Sequence, residues 1–97
     1  MQIGIDVGAT KIESVILDEK GNESNRERTD CPKDYFQIVK TIKDINKKLE
    51  KELNKSLPIG VCHPGIHSPQ TGLVKNAPNC YWLEKKPFQN DLRKELG

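Results

Sequence analysis

A glycine-containing turn near the start of the chain combines residue types that bind phosphate. Its residues are Asp6, Gly8, Ala9, Thr10 and Lys11. Glycine leaves the backbone N–H groups of a turn open to a phosphate, because no side chain blocks the approach. The Thr10 hydroxyl and the Lys11 ammonium add a donor and a positive charge, and Asp6 offers the carboxylate oxygens that Mg²⁺ prefers. These residues predict a phosphate-binding turn with Mg²⁺ at Asp6.

The same turn residues have two other interpretations, a P-loop and an ordinary hairpin. A P-loop is excluded, because the G-x-x-x-x-G-K-S/T spacing is absent and no helix is predicted directly after the turn. An ordinary hairpin with a D-x-G turn explains the turn by itself equally well, since so short a motif often occurs by chance.

A second group of polar residues lies in the middle of the chain, in the segments 60–65 and 71–79. A strand that ends in a Pro-Gly turn exposes main-chain groups to a small polar ligand. Asparagine side chains offer both a donor and an acceptor, which suits adjacent sugar hydroxyls. The alternative is a plain loop with turn-favouring asparagines. His63 and His67 are four residues apart, but in a loop this spacing predicts no metal site.

Composition limits the classes of protein that fit. The 97 residues form one small domain or a piece of a larger one. The net charge of +2, with lysines and acids interleaved, disfavours a nucleic-acid partner. No apolar run approaches the roughly 20 residues of a membrane span, and the start of the chain lacks a signal-peptide pattern. Three cysteines without a C-x-x-C pair favour reduced thiols in a cytoplasmic protein.

The elements that must position these motifs begin with three strands. Ile3, Ile5 and Val7 alternate with polar residues and predict a strand with one buried face. A second strand is predicted from residue 12 to 17, and a polar third strand from 23 to 31 at the edge of the sheet. Together they predict a three-stranded antiparallel meander.

A helix is predicted after the meander. Asp34 can cap its N-terminus with Gln37 as the reciprocal partner, and Asp44 and Lys48 form a favourable charge pair. Pro58 forbids its continuation. An apolar stripe recurs at three- and four-residue steps: Tyr35, Ile38, Val39, Ile42, Ile45, Leu49 and Leu53.

The remaining third of the chain alternates short apolar segments with turns. A buried strand is predicted over residues 57–61, no regular structure over 63–72, a brief strand at 73–74, and a final helix over 88–96. Asp91 is expected to face solvent or to cap this helix, Trp82 to pack, and Cys31 and Cys80 to fill the interior. The order of elements predicts a mixed α/β fold.

Three sequence blocks together resemble the start of a ROK-family sugar kinase, within the actin/hexokinase-like superfamily. They are IGIDVGATK, GVCHPG, and TGLVKNAPN with YWL after it. The stretches SPQTGLVKNA and KPFQNDL are particularly similar to bacterial fructokinases and N-acetylhexosamine kinases. The resemblance implies that residues 1–97 are a partial N-terminal lobe of a ribonuclease H-like fold. The phosphate loop would span residues 4–11 and the sugar-site loops residues 60–82, and the C-terminal lobe would be absent.

The resemblance also implies an activity. An ATP-dependent sugar kinase transfers the γ-phosphate to a hydroxyl of a hexose or N-acetylhexosamine, here expected to be the 6-hydroxyl. Gly65, by its backbone, and Asn79 would bind the sugar. Asn76 would either bind the sugar or hold the loop instead, and the protein could be a homo-oligomer. The residues expected at ATP, with Mg²⁺ at the first of them, are Asp6, Gly8, Ala9, Thr10 and Lys11.

The family's catalytic aspartate is expected beyond residue 97, as are its glycine-rich adenosine motif and its structural zinc site. No catalytic residue is therefore predicted within this chain, and the isolated chain is expected to be inactive. A non-catalytic sugar- or phosphate-binding remnant, or a regulatory ROK-like protein, is the alternative.

Two residues depart from the family pattern. Ala9 replaces a glycine, which is tolerable only if Ala9 avoids positive φ. Cys62 replaces another glycine, so its side chain narrows the approach of the backbone to a ligand.

Overall fold

The computed structural model describes residues 1–77 and 80–96. Four strands form the main sheet, namely β1 (Gln2–Val7), β2 (Lys11–Leu17), β3 (Glu23–Asp30) and β4 (Ile59–Cys62). The remaining elements are α1 (Tyr35–Leu53), β5 (Ile66–His67), β6 (Val74–Lys75), a 3₁₀ helix (Tyr81–Leu83) and α2 (Phe88–Leu96). In the described ranges, no helix is long and apolar enough to cross a membrane.

The main sheet has the order β3-β2-β1-β4. β1 pairs antiparallel with β2, which pairs antiparallel with β3, as the predicted meander requires. β4 pairs with β1 in parallel. The alternation in β1 is confirmed, because Ile3, Ile5 and Val7 are all buried. Their buried side of the sheet is the inner face, and the opposite side is called the outer face below.

The polar third strand is confirmed as an edge strand, with all eight residues of β3 exposed. A register shift interrupts its pairing with β2, and Asn25 lies there with a positive φ of 52°. Arg26 and Arg28 both donate to the carboxylate of Glu13 on β2, at 2.8 and 2.7 Å. Charges on this edge oppose pairing with another chain.

Helix α1 packs its apolar stripe toward the inner face of the sheet. Asp34 caps its N-terminus as predicted, accepting the Gln37 amide at 3.0 Å. The helix ends at Leu53, five residues before Pro58, because Asn54 adopts a left-handed conformation (φ 53°). The helix does not continue to Pro58, as predicted, and the residue that ends it is Asn54.

The predicted Asp44–Lys48 pair is also absent among the described residues. Lys48 instead donates to both carboxylate oxygens of Glu27 on β3, each at 3.0 Å. The helix face that bears Lys48 lies over the β2–β3 edge, so a partner on the sheet competes with the partner one turn earlier. Tertiary packing therefore decided the charge pairing.

The segment 63–72 was wrongly predicted to lack regular structure. Its residues 66–67 form β5, which pairs antiparallel with β6 in a separate two-stranded ribbon. The Ser68 amide donates to the Leu73 carbonyl at 2.9 Å and closes the hairpin. A strand of two residues is too short to show a repeating apolar pattern, so periodicity could not reveal β5. The brief strand predicted at 73–74 corresponds to β6, which lies one residue later.

Helix α2 packs against α1 through a polar and aromatic junction. The Tyr35 hydroxyl of α1 donates to the Asp91 carboxylate of α2, and the Tyr35 and Phe88 rings meet edge to face at 6.1 Å. The expectation that Asp91 faces solvent or caps its helix was therefore wrong. Trp82 packs against the core, and Cys31 and Cys80 are buried, as predicted.

Candidate functional site

The phosphate-type turn is a tight hairpin between β1 and β2. The Gly8 amide donates to the Lys11 carbonyl at 2.8 Å and closes the turn. A Cβ on residue 8 would lie 3.0 Å from that carbonyl oxygen, closer than most Cβ contacts, so glycine suits this position sterically. The Thr10 carbonyl accepts a hydrogen bond from the Cys31 amide at 2.8 Å, which ties the turn to the residue that follows β3.

Two amides of the turn form no hydrogen bond to the backbone of the described residues. Within residues 1–77 and 80–96, Ala9 and Thr10 donate to no other backbone group. Ala9 does not have a positive φ. An alanine is therefore tolerated at this position, where the family pattern has a glycine. The turn thus presents consecutive N–H groups, a hydroxyl and no bulky side chain, which is the arrangement that a phosphate oxygen needs.

Asp6 and Lys11 lie on the outer face beside this turn, because Val7 and Ile12 point inward. Lys11 is paired with Asp30 across the β2–β3 ladder, and this hydrogen bond, with the positive charge, holds the pKa of Asp30 below its usual range. Both side chains are substantially exposed. Exposed ion pairs contribute little free energy, so Lys11 can exchange Asp30 for a more highly charged phosphate at small cost.

Mg²⁺ is usually bound by one or two carboxylates, water and the phosphates of a substrate. Asp6 is an exposed carboxylate at the end of a strand, which fits that chemistry. No cluster of three or more histidine, cysteine or acidic side chains that could hold a metal occurs in the described part of the chain. With the described residues, Asp6 would therefore hold Mg²⁺ together with water and the phosphates of a substrate.

Parallel pairing brings the two sequence motifs to one edge of the sheet. Asp6 on β1 lies directly opposite Cys62 on β4, at the carboxyl ends of both strands. The turn at residues 8–10 and the loop at residues 63–65 therefore leave the sheet side by side. The Cys62 side chain is exposed on the outer face, next to Asp6.

Gly65 and Asn76 are also brought together. Gly65 has a φ of +81°, and a Cβ there would lie 2.5 Å from the Lys75 carbonyl oxygen and 3.2 Å from the Ala77 Cα. Glycine is thus required both by conformation and by close packing. Asn76 is exposed and adopts a left-handed φ of 57°. Asn79, the third predicted sugar residue, lies outside the described residues.

The sequence interpretation missed Glu84. Its two carboxylate oxygens accept the backbone amides of Asn76 and Ala77, at 3.1 and 3.0 Å. The only sequence signal for this contact is a lone acid after an aromatic pair, which does not identify a distant acceptor.

The sequence interpretation also missed the packing of the two histidines. Their rings meet edge to face at 4.8 Å, and His63 also contacts Phe88. His67 accepts the Gln89 amide through Nε2 at 3.2 Å, at the start of α2. Burial, and then the nearby His63, lower the pKa of His67. The two histidines therefore form a packing contact at the start of α2.

Comparison with known proteins identifies the family. The model of the ROK family matches residues 2–97. The chain belongs to the ROK family. Its resemblance to that family, expected from the three sequence blocks, is thereby confirmed.

Curated ROK relatives align along the full chain. The N-acetyl-D-glucosamine kinases of Haemophilus influenzae and Vibrio atlanticus are 33% and 35% identical to it over 98 and 100 residues. Each alignment covers 100% of this chain but 32% of the relative. The chain therefore spans about a third of the length of these relatives.

Solved ROK structures share the fold. A ROK hexokinase from Thermus thermophilus superposes with a TM-score of 0.81 at 21% identity, over 99% of this chain and 32% of the hexokinase. An inorganic polyphosphate/ATP-glucomannokinase from Arthrobacter gives 0.81 at 28% identity, over 99% of this chain and 40% of that enzyme. The expected α/β architecture of an actin/hexokinase-like kinase is confirmed.

Proposed function

We propose that this chain is the N-terminal part of an ATP-dependent sugar kinase. The reaction transfers the γ-phosphate of ATP to the 6-hydroxyl of a hexose or N-acetylhexosamine. The observation that supports this most directly is the parallel pairing of Asp6 with Cys62, which puts the phosphate-type turn beside the loop that contains Gly65. Two substrates that must meet for transfer would be held at neighbouring strand ends.

The relatives support the choice of substrates. The curated proteins of similar sequence are N-acetyl-D-glucosamine kinases, and a ROK glucokinase from Streptomyces griseus of the same fold (TM-score 0.81, 24% identity) was solved with glucose and AMPPNP. An N-acetylated or plain hexose and an adenine nucleotide are therefore the first ligands to test.

The residues of this chain act by positioning and by neutralising charge. The amides of Ala9 and Thr10, with the Thr10 hydroxyl, orient the phosphates, while Lys11 exchanges Asp30 for them. Asp6 would hold Mg²⁺, which would supply positive charge to the same phosphates. In phosphoryl transfer such placement provides most of the rate enhancement. The family resemblance puts the base that accepts the sugar proton in an Asn-Asp motif outside these residues.

A sugar panel is the direct test. The native protein is purified from its own cells, its intact mass is measured, and it is assayed with ATP against N-acetylglucosamine, N-acetylmannosamine, glucose, mannose and fructose. We expect a mass about three times that of the chain, from the 32% coverage of the relatives, and phosphorylation of at least one sugar. A native mass of 11.0 kDa without turnover would contradict the kinase proposal and leave sugar or phosphate binding alone.

The phosphate role is tested separately by Thr10→Ala in that protein. Loss of the hydroxyl donor is expected to raise KM for ATP about tenfold, the cost of one hydrogen bond to a charged group. Thr41→Ala is the matched control, because the Thr41 hydroxyl donates to the Gln37 carbonyl within α1. Unchanged ATP kinetics in Thr10→Ala would remove the phosphate assignment.

We also propose a cytoplasmic location, where ATP is available, and association of the protein with itself.

A further inference from the structure

We propose that Glu84 is a positioning residue, which fixes the backbone of the sugar-loop segment (residues 75–77) and so sets the position of the Asn76 side chain. The proposal rests on the sugar-kinase function proposed above. It adds a residue that lies outside the sequence motifs and contacts the sugar only through the loop that it holds.

The geometry is that of one carboxylate bridging two consecutive amides. Glu84 Oε1 accepts the Asn76 amide at 3.1 Å, and Oε2 accepts the Ala77 amide at 3.0 Å. The left-handed Asn76 (φ 57°) turns the two N–H groups toward the same side. A negatively charged acceptor makes both hydrogen bonds stronger than those of a neutral one.

Backbone pairing places Glu84 opposite these amides. The Glu84 amide donates to the Tyr81 carbonyl at the end of the 3₁₀ helix. The next two residues then pair with β6: the Lys85 amide donates to the Val74 carbonyl at 2.7 Å, and the Val74 amide donates to the Lys86 carbonyl at 2.9 Å. These backbone hydrogen bonds place Glu84 next to the sugar-loop segment, where it is partly buried.

The segment is held from the opposite side by Gly65. A Cβ on Gly65 would meet the Lys75 and Asn76 carbonyl oxygens at 2.5 and 3.1 Å, so the two backbones are in direct contact. Ala77 is only 3% exposed, whereas Asn76 is exposed. The backbone of the segment is therefore held between Gly65 and Glu84, while the Asn76 side chain remains available to a ligand.

The consequence for the reaction is a selective effect on sugar binding. If a loop contacts the sugar equally in the ground state and in the transition state, displacing that loop raises KM for the sugar and leaves kcat unchanged. ATP is bound by a different turn, so its KM should not change. A general loss of stability would not separate the two substrates in this way.

The test uses Glu84→Gln and Glu84→Ala in the native-length protein. Glutamine keeps the size of the side chain but leaves one acceptor oxygen, so one amide loses its partner. We expect KM for the sugar to rise about tenfold in Glu84→Gln, which loses one hydrogen bond to a charged group. It should rise further in Glu84→Ala, which also loses the bond that the neutral glutamine oxygen can still accept. Glu84→Asp, which keeps the charge and both oxygens, should recover part of the loss.

Glu95→Gln is the matched control, because Glu95 pairs with Lys43 on α1 at 2.9 Å and, among the described residues, forms no hydrogen bond with the sugar-loop segment. It should leave both KM values unchanged. A rise in the two KM values by equal factors in Glu84→Gln, or no rise, overturns the positioning role. If Glu84→Ala does not fold, the isosteric Glu84→Gln decides.

Hydrogen exchange separates this proposal from the proposed function. The amides of Asn76 and Ala77 should be protected in the wild-type protein and exchange about tenfold faster in Glu84→Gln, but not in Glu95→Gln. Equal exchange in all three proteins overturns the proposal even if the enzyme phosphorylates sugars. Faster exchange with no sugar phosphorylated by the wild type instead rejects the sugar-kinase function and the role of Glu84 in it.

Discussion

At the scale of single residues, Gly65 in the loop after β4 and Gly60 in β4 itself differ in the space that each has for a side chain. Gly65 has a φ of +81° and no room for a Cβ, whereas a Cβ on Gly60 would meet no atom within 4 Å. The first glycine is required by the backbone around it, and the second is not required by any described neighbour.

The first prediction compares the same substitution at both positions. Gly65→Ala should lower the free energy of unfolding by about 2–4 kcal/mol, because the methyl group meets a carbonyl oxygen in a strained conformation. Gly60→Ala should change it by less than about 0.5 kcal/mol. Chemical denaturation measures both, and equal effects of the two substitutions would contradict the packing of Gly65 on the sugar-loop segment.

The three thiols provide a second residue-scale prediction. Cys62 is exposed, whereas Cys31 and Cys80 are buried. Burial, and then the neighbouring Cys31, raise the pKa of Cys80 to about 11. Because the thiolate is the reactive form, iodoacetamide at pH 8 should modify Cys62 first and the other two only after unfolding.

Peptide mass mapping over time measures the order of modification. Cys62→Ser serves as the control, since it should abolish the rapid phase and nothing else. Rapid modification of Cys80 in the folded protein would show that the core around it opens.

At the scale of elements, the junction of α1 and α2 depends on Tyr35. Its hydroxyl donates to Asp91, and both burial and this carboxylate raise the phenol pKa well above its ordinary value of 10.0. The folded protein therefore holds the Tyr35 proton more tightly than the unfolded chain does. The stabilisation is complete below pH 10 and is lost as the pH rises toward the folded-state pKa.

The third prediction follows from this raised phenol pKa, which stabilises the folded protein while Tyr35 is protonated. Tyr35→Phe should lower the free energy of unfolding by about 1–3 kcal/mol at neutral pH, because Asp91 loses its donor. The difference from wild type should shrink above pH 10. Tyr81→Phe is the control, because Tyr81 is 78% exposed, and it should have little effect at neutral pH. A constant difference across the pH range would contradict a neutral, hydrogen-bonded Tyr35.

At the scale of the whole molecule, one side of the chain remains open. A groove of about 470 Å³ lies beside β4, between α1 and α2. Its apolar lining includes Leu57, Ile59, Val61, Phe88, Leu92 and Leu96. An open strand edge beside a groove that exposes several apolar side chains favours pairing with another copy when nothing else covers it.

The fourth prediction is that the 97-residue chain by itself associates as its concentration rises. Light scattering across a concentration series should give a rising average mass. Leu96→Lys, within the groove, should weaken association, whereas Phe36→Lys replaces an exposed side chain on α1 outside the groove lining and should not. A constant mass of 11.0 kDa at high concentration would contradict the prediction.

The sequence by itself determined the local elements of this fold. The alternation of Ile3, Ile5 and Val7 set the buried face of β1, and the three-to-four-residue spacing of apolar side chains set α1. Asp34 marked the start of the helix. These signals are local: each depends on the repeat of a strand or helix or on a cap within one turn, so neighbouring residues suffice to reveal them.

Only the tertiary structure decided how the site residues meet. The parallel pairing of β1 with β4 joins residues more than fifty positions apart, Tyr35 and Asp91 are separated by 56 positions, and Glu84 reaches the sugar-loop segment through a ladder of irregular backbone. Such contacts depend on register, on left-handed residues such as Asn76, and on the competition of partners for one charge. No local pattern encodes them, because their free energy arises only after distant segments have packed together.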